Sequence, residues 1–189
     1  MTATSIPDSP RMSPKDPRQV SVGHELRFGI FATVLGPMLV AGTALGVCHV
    51  AFGDDEALLL NELRVDRTAA SLSRDDASVA SWAEDISAQL EGRSRAINAP
   101  VDVSGTPFQQ RVWTELRRIP FGQVRSYQEL AVTIGQPTAA RAVAGACASN
   151  RLAVIIPCHR VIRGTGELGG YRWGVERKRK LLDIERRGA

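Results

Sequence analysis

Two helix-start signatures in the second half of the chain constrain its fold more than any other feature. Thr106-Pro107-Phe108-Gln109 and Ser126-Tyr127-Gln128-Glu129 each place a hydroxyl residue three positions before Gln or Glu, which is the spacing of a capping box. Pro107 also stands at the first helical position, where proline is favoured. With turn sequences at 121–123 and 136–138, this pattern predicts three helices, the last two forming a helix-turn-helix. The predicted helices run from 106 to about 118, from 126 to 135 and from 139 to 149.

The third predicted helix has one face with almost no side chains. That face carries, at positions i, i+3, i+4 and i+7, Arg141, Ala144, Gly145 and Ala148. It would allow the close approach of either a DNA minor groove or a neighbouring helix, and the pattern alone fits both. The opposite face is typical of a core and includes Cys147, which we expect to be a buried small hydrophobe. Cys48, within an apolar strand, carries the same expectation.

The first hundred residues predict a smaller α/β domain. Residues 27–53 alternate β-favouring stretches with glycine, which predicts two or three antiparallel strands. An acidic start at 54–56 opens a helix that continues to Val65, and apolar residues at helical spacing between Val79 and Leu90 predict another. Pro100 marks a linker before a short strand at 101–103. We therefore predict a disordered, proline-rich tail (1–21), an α/β domain (22–99) and a mainly helical domain (100–189).

Charge is divided unevenly between the two halves. Residues 1–100 carry 9 Lys/Arg and 13 Asp/Glu, whereas residues 101–189 carry 15 Lys/Arg and 7 Asp/Glu. The second half is therefore strongly basic within a chain of net charge +4. This asymmetry fits either a surface that meets a polyanion or a solvated basic face.

Cysteine usage and hydropathy favour a cytoplasmic protein. The chain has 3 cysteines, an odd and low number that argues against a disulfide framework and for a reducing compartment. No stretch approaches the roughly 20 apolar residues that span a membrane. The N-terminal residues lack the layout of a signal peptide. The sequence contains no C-x-x-C motif and no paired-histidine spacing of the kind that binds metals. We expect neither a metal nor a cofactor.

Cys158 differs from the other two cysteines because His159 and Arg160 follow it directly, in V-I-I-P-C-H-R-V-I. A nearby base or positive charge favours the reactive thiolate. Adjacent side chains of an extended segment point in opposite directions, so His159 would reach the thiol only through a bend or a bridging water. A hydrolase-like pair would instead take its histidine from a distance, with His24 and His49 as the candidates.

Four motifs in a fixed order extend this observation. They are S-Y-Q-E-L-A at 126–131, A-R-A-V at 140–143, I-P-C-H-R-V at 156–161 and G-G-Y-R-W-G at 169–174. Together they resemble the O6-alkylguanine-DNA alkyltransferases, also called methylated-DNA–protein-cysteine methyltransferases. Within that family the chain is most like Ogt and the C-terminal repair domain of the bacterial Ada protein. The resemblance runs from about Val22 to Glu185.

The resemblance implies a DNA-repair protein that transfers the alkyl group of O6-alkylguanine, and of O4-alkylthymine, to its own cysteine in a single turnover. The implied partner is double-stranded DNA containing the lesion, which is flipped out through the minor groove. The implied fold is a ribonuclease-H-like α/β domain with a small antiparallel sheet, followed by a mainly α domain with a winged helix-turn-helix. We expect a monomer that is cytoplasmic and associated with the nucleoid through DNA.

The resemblance also assigns catalytic roles. Cys158 would accept the alkyl group, and His159 would be the general base acting through a water. Glu185 would orient this histidine. Asn150 would be the hinge residue that ties the recognition helix to the active-site segment through backbone hydrogen bonds.

Further roles concern DNA and the flipped base. Arg141 would fill the gap left in the base stack, and Tyr127 would donate to the purine and help to rotate its phosphate. The backbone carbonyls of Cys158 and Val161 would accept from the guanine amino group. Tyr171 and the Arg172 backbone would line the alkyl pocket. The remaining implied DNA contacts are Gln128, Ala139, Ala140 and Gly145.

One departure from the Ada pattern limits the prediction. The Ada protein carries a four-cysteine zinc module, and only Cys48 occurs in the first hundred residues. We therefore predict repair without a methyl-triggered transcription switch of that type. A non-enzymatic DNA-binding regulator and a cysteine hydrolase remain the alternatives.

Overall fold

A four-stranded sheet organises the first half of the chain in the computed structural model, which describes residues 25–67 and 70–188. The strands are β1 (Glu25–Thr33), β2 (Gly36–Thr43), β3 (Gly46–Phe52) and β4 (Ser71–Arg74). Their order is β3-β2-β1-β4. The first three pair antiparallel, as predicted, whereas β4 pairs parallel with β1, so the sheet is mixed. The predicted tail, 1–21, lies outside the described residues.

Two helices pack against this sheet. Helix α1 (Glu56–Asp66) begins after Asp55, whose carboxylate accepts from the next backbone amides, and α2 (Asp76–Leu90) is capped by Asp75 in the same way. Leu59 and Leu63 are the buried positions of α1. The start of α1 therefore agrees with the prediction to within two residues, whereas α2 begins three residues before the predicted Val79. Strand β4 was not predicted, because its four residues, Ser71-Leu72-Ser73-Arg74, lack a clear period-two pattern.

Three predicted helices follow in the second half. They are α3 (Pro107–Arg117), α4 (Tyr127–Thr133) and α5 (Ala140–Ala148). Both capping boxes form: Thr106 and Gln109 exchange side-chain and backbone hydrogen bonds, and so do Ser126 and Glu129. Helix α5 begins after Ala139 without a side-chain cap.

The remaining elements surround the Cys158 segment. Strand β5 (Arg125–Ser126) pairs parallel with β6 (Val161–Ile162). A 3₁₀ turn covers Cys158–Arg160, and the last helix, α6, spans Val175–Gly188. The sequence patterns predicted neither α6 nor the β5–β6 pair.

The two halves share a continuous apolar core. Strand β3 forms single bridges with Val101 and Leu152, so the strand predicted at 101–103 is reduced to one bridge at Val101. One cluster of buried side chains extends from Phe28 through Ile156 to Leu181. The segment that leads to Cys158 therefore lies directly on the sheet of the first half. Within the described ranges, no helix is long and apolar enough to cross a membrane.

Candidate active site and DNA interface

Two tight turns bring the chain to Cys158. Ile155 N donates to Ala153 O at 2.7 Å around Val154, and Cys158 N donates to Ile156 O at 2.7 Å around Pro157. These are γ-turns. Val154 has φ +68°, and it is the only non-glycine residue of the described chain with positive φ. A β-branched residue in this region carries a strain of about 1–3 kcal/mol and persists only where its surroundings fix the backbone.

The side chain of Asn150 holds much of this segment in place through hydrogen bonds. It is fully buried. Its Oδ1 accepts from Leu152 N at 2.9 Å, which orients the amide so that Nδ2 donates to Ile156 O at 2.8 Å and to Cys158 Sγ at 3.2 Å. The predicted hinge residue therefore touches both the backbone of the strained segment and the thiol itself.

The Cys158 thiol is protonated at neutral pH. Its side chain is buried, and this burial raises the thiol pKa to about 11, despite the opposing effects of the Asn150 hydrogen bond and the Lys178 charge. A protonated thiol is a poor nucleophile. Chemistry at Cys158 therefore needs a base that removes the proton as the thiol reacts.

His159 is arranged as such a base. Its Nε2 lies 2.8 Å from Glu185 Oε1. Burial alone would raise the pKa of Glu185, but hydrogen bonds from His159 and Arg160 outweigh it and bring the pKa to about 2. An ionised carboxylate only accepts, so Nε2 carries the imidazole hydrogen. Burial lowers the pKa of His159, with Glu185 partly opposing, so the ring is neutral and Nδ1 keeps a free lone pair.

That lone pair is buried and has no hydrogen-bond partner among the described residues. A buried acceptor without a partner is costly, and a catalytic role is one reason for a fold to retain it. The unpartnered Nδ1 is the feature that makes His159 able to take up a proton.

Arg160 is a site residue whose role sequence reasoning missed. It stood in the motif only as a charge near the thiol, but its guanidinium faces Glu185, with Nε–Oε2 at 2.9 Å and Nη2–Oε1 at 2.8 Å. Its Nη1 donates to Ile119 O at 2.7 Å. Gly122 N also donates to Glu185 at 3.1 Å. Arg160 thus holds the carboxylate that orients His159, and the 3₁₀ turn that aims it there has no signature in the sequence.

Lys178 was also missed. It is fully buried on α6, and its Nζ donates to Val161 O at 2.6 Å, to Gly170 O at 3.3 Å and to Leu168 O. Burial lowers its pKa. Three acceptors match the three donors of an ammonium group. Lys178 therefore fixes the loop between β6 and Tyr171, and leaves the second lone pair of the Val161 carbonyl for another donor.

Aromatic rings also lie beside His159. The Tyr171 ring stands edge-on to His159 at 6.4 Å and to Trp173 at 5.1 Å between centroids. Tyr127, at the start of α4, is half-buried, and this burial raises the pKa of its hydroxyl. The Arg172 side chain points instead to Glu62 and Asp66, so the contact of its backbone with the alkyl pocket stays a prediction.

Helix α5 presents the sparsely covered face to solvent. Arg141 and Gly145 are exposed, and a Cβ built on Gly145 would meet no atom within 4 Å. Glycine inside a helix costs about 1 kcal/mol relative to alanine. Because packing among the described residues does not require this glycine, its absence of bulk favours an external partner over a neighbouring helix.

The other predicted DNA contacts lie in α4 and at the start of α5. Gln128 is exposed, and its Nε2 donates to Pro137 O at 2.7 Å, which braces the turn between α4 and α5. Ala139 and Ala140 are half-buried at the start of α5. Cys48 and Cys147 are buried and their thiol pKa values are raised by burial, which confirms the expectation that they are buried small residues.

Comparisons with known proteins agree with this arrangement. Residues 107–187 match the family described as "6-O-methylguanine DNA methyltransferase, DNA binding domain". The chain is 46% identical over 174 residues to the bifunctional transcriptional activator/DNA repair enzyme Ada of Escherichia coli, covering 92% of this chain and 49% of that protein. It therefore spans about half the length of this relative. The inducible methylated-DNA–protein-cysteine methyltransferase of Bacillus subtilis is 43% identical over 118 residues, 62% of this chain and 66% of that protein.

Solved structures give the same result. The crystal structure of Mycobacterium tuberculosis OGT in complex with DNA matches with a TM-score of 0.73 and 34% identity, covering 86% of this chain and 94% of that chain. The likeness therefore includes both halves of the fold described above.

Proposed function

The chain belongs to the 6-O-methylguanine DNA methyltransferase family, and on that premise we propose that it repairs DNA by moving the alkyl group of O6-alkylguanine to Cys158. The observation that carries this proposal is the buried array in which Asn150 contacts the Cys158 thiol and Glu185 orients His159. The array offers a thiol, a base and an anchored carboxylate.

The chemical step follows from these groups. His159 Nδ1, through a water, takes the proton of Cys158 as Sγ attacks the alkyl carbon. The new S–C bond forms as the C–O6 bond breaks, and its electron pair remains on the purine. The purine then receives a proton, with the Tyr127 hydroxyl or water as donor. The products are unmodified guanine and S-alkylcysteine, a stable thioether, so each molecule reacts once.

The DNA face supports the way in which the base is reached. A base in the duplex must be flipped before O6 can approach a buried thiol, at a cost of a few kcal/mol. The bulk-free face of α5 would permit close approach to the minor groove, and Arg141, which is exposed, would replace the extruded base. The basic second half adds affinity for phosphate that is independent of sequence.

The finer features of the fold are part of the same proposal. The antiparallel β1-β2-β3 unit joined by a parallel β4 supports a ribonuclease-H-like first domain, 22–99. The α4–turn–α5 unit supports a winged helix-turn-helix within the second domain, 100–189. We further propose that the protein acts as a monomer, in the cytoplasm and on the nucleoid, without a cofactor, and on O4-alkylthymine as well.

Titration of a damaged duplex tests the proposal. Increasing amounts of protein are added to a duplex with one O6-methylguanine, and the lesion that remains is quantified after digestion. We expect one lesion to be lost per protein molecule, and none with Cys158→Ala although that variant still binds the duplex. Loss beyond one equivalent would indicate a hydrolase, and binding without loss would indicate a lesion sensor.

A further inference from the structure

One carboxylate in the first half of the chain binds two arginines from the second half. Asp66, the last residue of α1, accepts from Arg151 Nε at 2.8 Å and Nη2 at 3.2 Å, and from Arg172 Nη2 at 2.9 Å. Its side chain is only 13% exposed. Glu62, one turn earlier on α1, accepts from Arg172 Nε at 2.9 Å. Forked, partly buried pairs of this kind fix geometry better than single surface contacts.

The two arginines stand at both ends of the active-site region. Arg151 follows Asn150 directly and begins the segment with the two γ-turns. Arg172 follows Tyr171 directly, where the chain passes the thiol for the second time. Asp66 thus links the strained segment before Cys158 to the segment after it that carries Tyr171 and Trp173.

Asp66, Arg151 and Arg172 together form an ion-pair clamp, and this clamp is itself anchored to the sheet. Arg67, the next residue, donates from Nη2 to Cys48 O at 2.8 Å on β3. The Arg151 carbonyl accepts from Val50 N at 2.8 Å on the same strand. Burial opposes ionisation of Asp66, but the hydrogen bond and charge of Arg151 and the charge of Arg172 outweigh it and lower the carboxyl pKa. The clamp is therefore charged at neutral pH.

We propose that Asp66 is a positioning residue for alkyl transfer, acting through Arg151 and Arg172 to hold the two segments that place Cys158 and Tyr171. This inference rests on the function proposed above. The positive φ of Val154 requires fixed surroundings. Asn150 fixes the segment from inside, and Asp66 fixes its beginning from outside. The first half of the chain thus contributes to the chemistry of the second.

Possible metal ligands also lie around Asp66, but the charges of the neighbouring side chains disfavour a metal ion. His49, Glu62 and Asp66 place ligand atoms within 4.8 Å of one another. Burial, followed by the charges of Arg67, Arg172 and Arg151, lowers the pKa of His49 to about 3, with Asp66 opposing. Three guanidinium groups against two carboxylates already leave the cluster positive, which disfavours a divalent cation. The carboxylates are engaged as an ion-pair clamp.

The test compares Asp66→Ala and the milder Asp66→Asn with wild type under single-turnover conditions. At saturating duplex with O6-methylguanine, we expect the first-order rate constant of Asp66→Ala to fall about tenfold, because small misplacements of reacting groups are costly. The dissociation constant for DNA should stay within about twofold. Asp66→Asn keeps one acceptor oxygen and should be intermediate. Arg151→Gln added to Asp66→Ala should cause little further loss.

Asp54→Ala is the matched control, because Asp54 also pairs across the two halves, but with Arg177 of α6 and not with Arg151 or Arg172. Amide hydrogen exchange gives a readout that does not depend on the proposed function. In Asp66→Ala, exchange should accelerate at 151–158 and 170–173 and remain unchanged in α2. Unchanged exchange at 151–158 and 170–173, or an equal loss of rate in Asp54→Ala, would overturn the inference. Absence of transfer by wild type would instead refute the proposed function.

Discussion

Asn150 Nδ2 lies 3.2 Å from Cys158 Sγ and 2.8 Å from the Ile156 carbonyl. One amide group therefore sets both the position of the thiol and the shape of the turn that delivers it. The hydrogen bond to sulfur also favours the thiolate, against the burial that raises the thiol pKa. Asn150, two residues after the end of α5, is thus in direct contact with the sulfur of Cys158.

Replacement of Asn150 by alanine should damage both the fold and the chemistry. Its buried partners lose their hydrogen bonds, which should lower the free energy of unfolding by about 2–4 kcal/mol. The turn at Val154 should relax, and the transfer rate constant of the folded protein should fall about a hundredfold. Denaturant titration and single-turnover assays check this, with exposed Asn61→Ala of α1 as the control. A folded Asn150→Ala with wild-type rate would contradict the assignment.

The pH dependence of alkyl transfer should reflect His159 rather than the thiol. Because burial lowers the pKa of His159, its lone pair is available at neutral pH, and protonation should reduce the rate only under acidic conditions. Because the pKa of Cys158 is about 11, the thiolate population adds nothing up to about pH 9. The single-turnover rate constant should therefore be flat from neutral pH to about pH 9.

His159→Gln provides the comparison for this profile. Without the base, the reaction should depend on the free thiolate, and its rate constant should rise about tenfold per pH unit through the same range. A wild-type profile that rises in this way would show that His159 is not the base.

Lys178 and Lys180 form a natural pair for testing the buried ammonium. Lys178→Met keeps the length of the side chain but leaves the carbonyls of Val161, Leu168 and Gly170 without their donor. It should lower the free energy of unfolding by about 2–4 kcal/mol. Lys180→Met, exposed on the same helix, should change it by less than about 0.5 kcal/mol. Equal effects in denaturant titration would show that Lys178 does not hold the loop.

Gly145 separates stability from DNA binding. A leucine there meets open space and improves helix propensity, so Gly145→Leu should raise the free energy of unfolding by about 0.5–1 kcal/mol. The same side chain would keep α5 away from the minor groove, and the affinity for duplex DNA should fall at least about tenfold. Ala80 is exposed on α2, and Ala80→Leu is the control for both measurements. Unchanged DNA affinity of Gly145→Leu would remove α5 from the interface.

Local signals in the sequence predicted local structure well. The capping boxes at Thr106 and Ser126 gave the starts of α3 and α4 because a cap is formed by residues three positions apart. The site itself joins residues that are distant in the chain, such as Arg160 and Glu185 or Asp66 and Arg151. No periodicity connects such residues, so the sequence could supply their identities, through the family resemblance, but not their contacts.

The orientation of charged side chains could not be predicted from the sequence either. Arg160 stands beside Cys158 in sequence, yet the 3₁₀ turn directs it to Glu185, and the buried state of Lys178 cannot be distinguished in sequence from the exposed state of Lys180. These two cations show that the chemistry of the motif depends on packing around it.

Intact mass measurement, followed by peptide mapping, tests the central claim most directly. The protein is mixed with excess duplex containing O6-methylguanine. The account predicts a gain of one CH₂ unit that stops at one equivalent and maps to Cys158, because S-methylcysteine replaces the thiol. No gain in a protein that binds the duplex, or a methyl group mapped to Cys48 or Cys147, would contradict it.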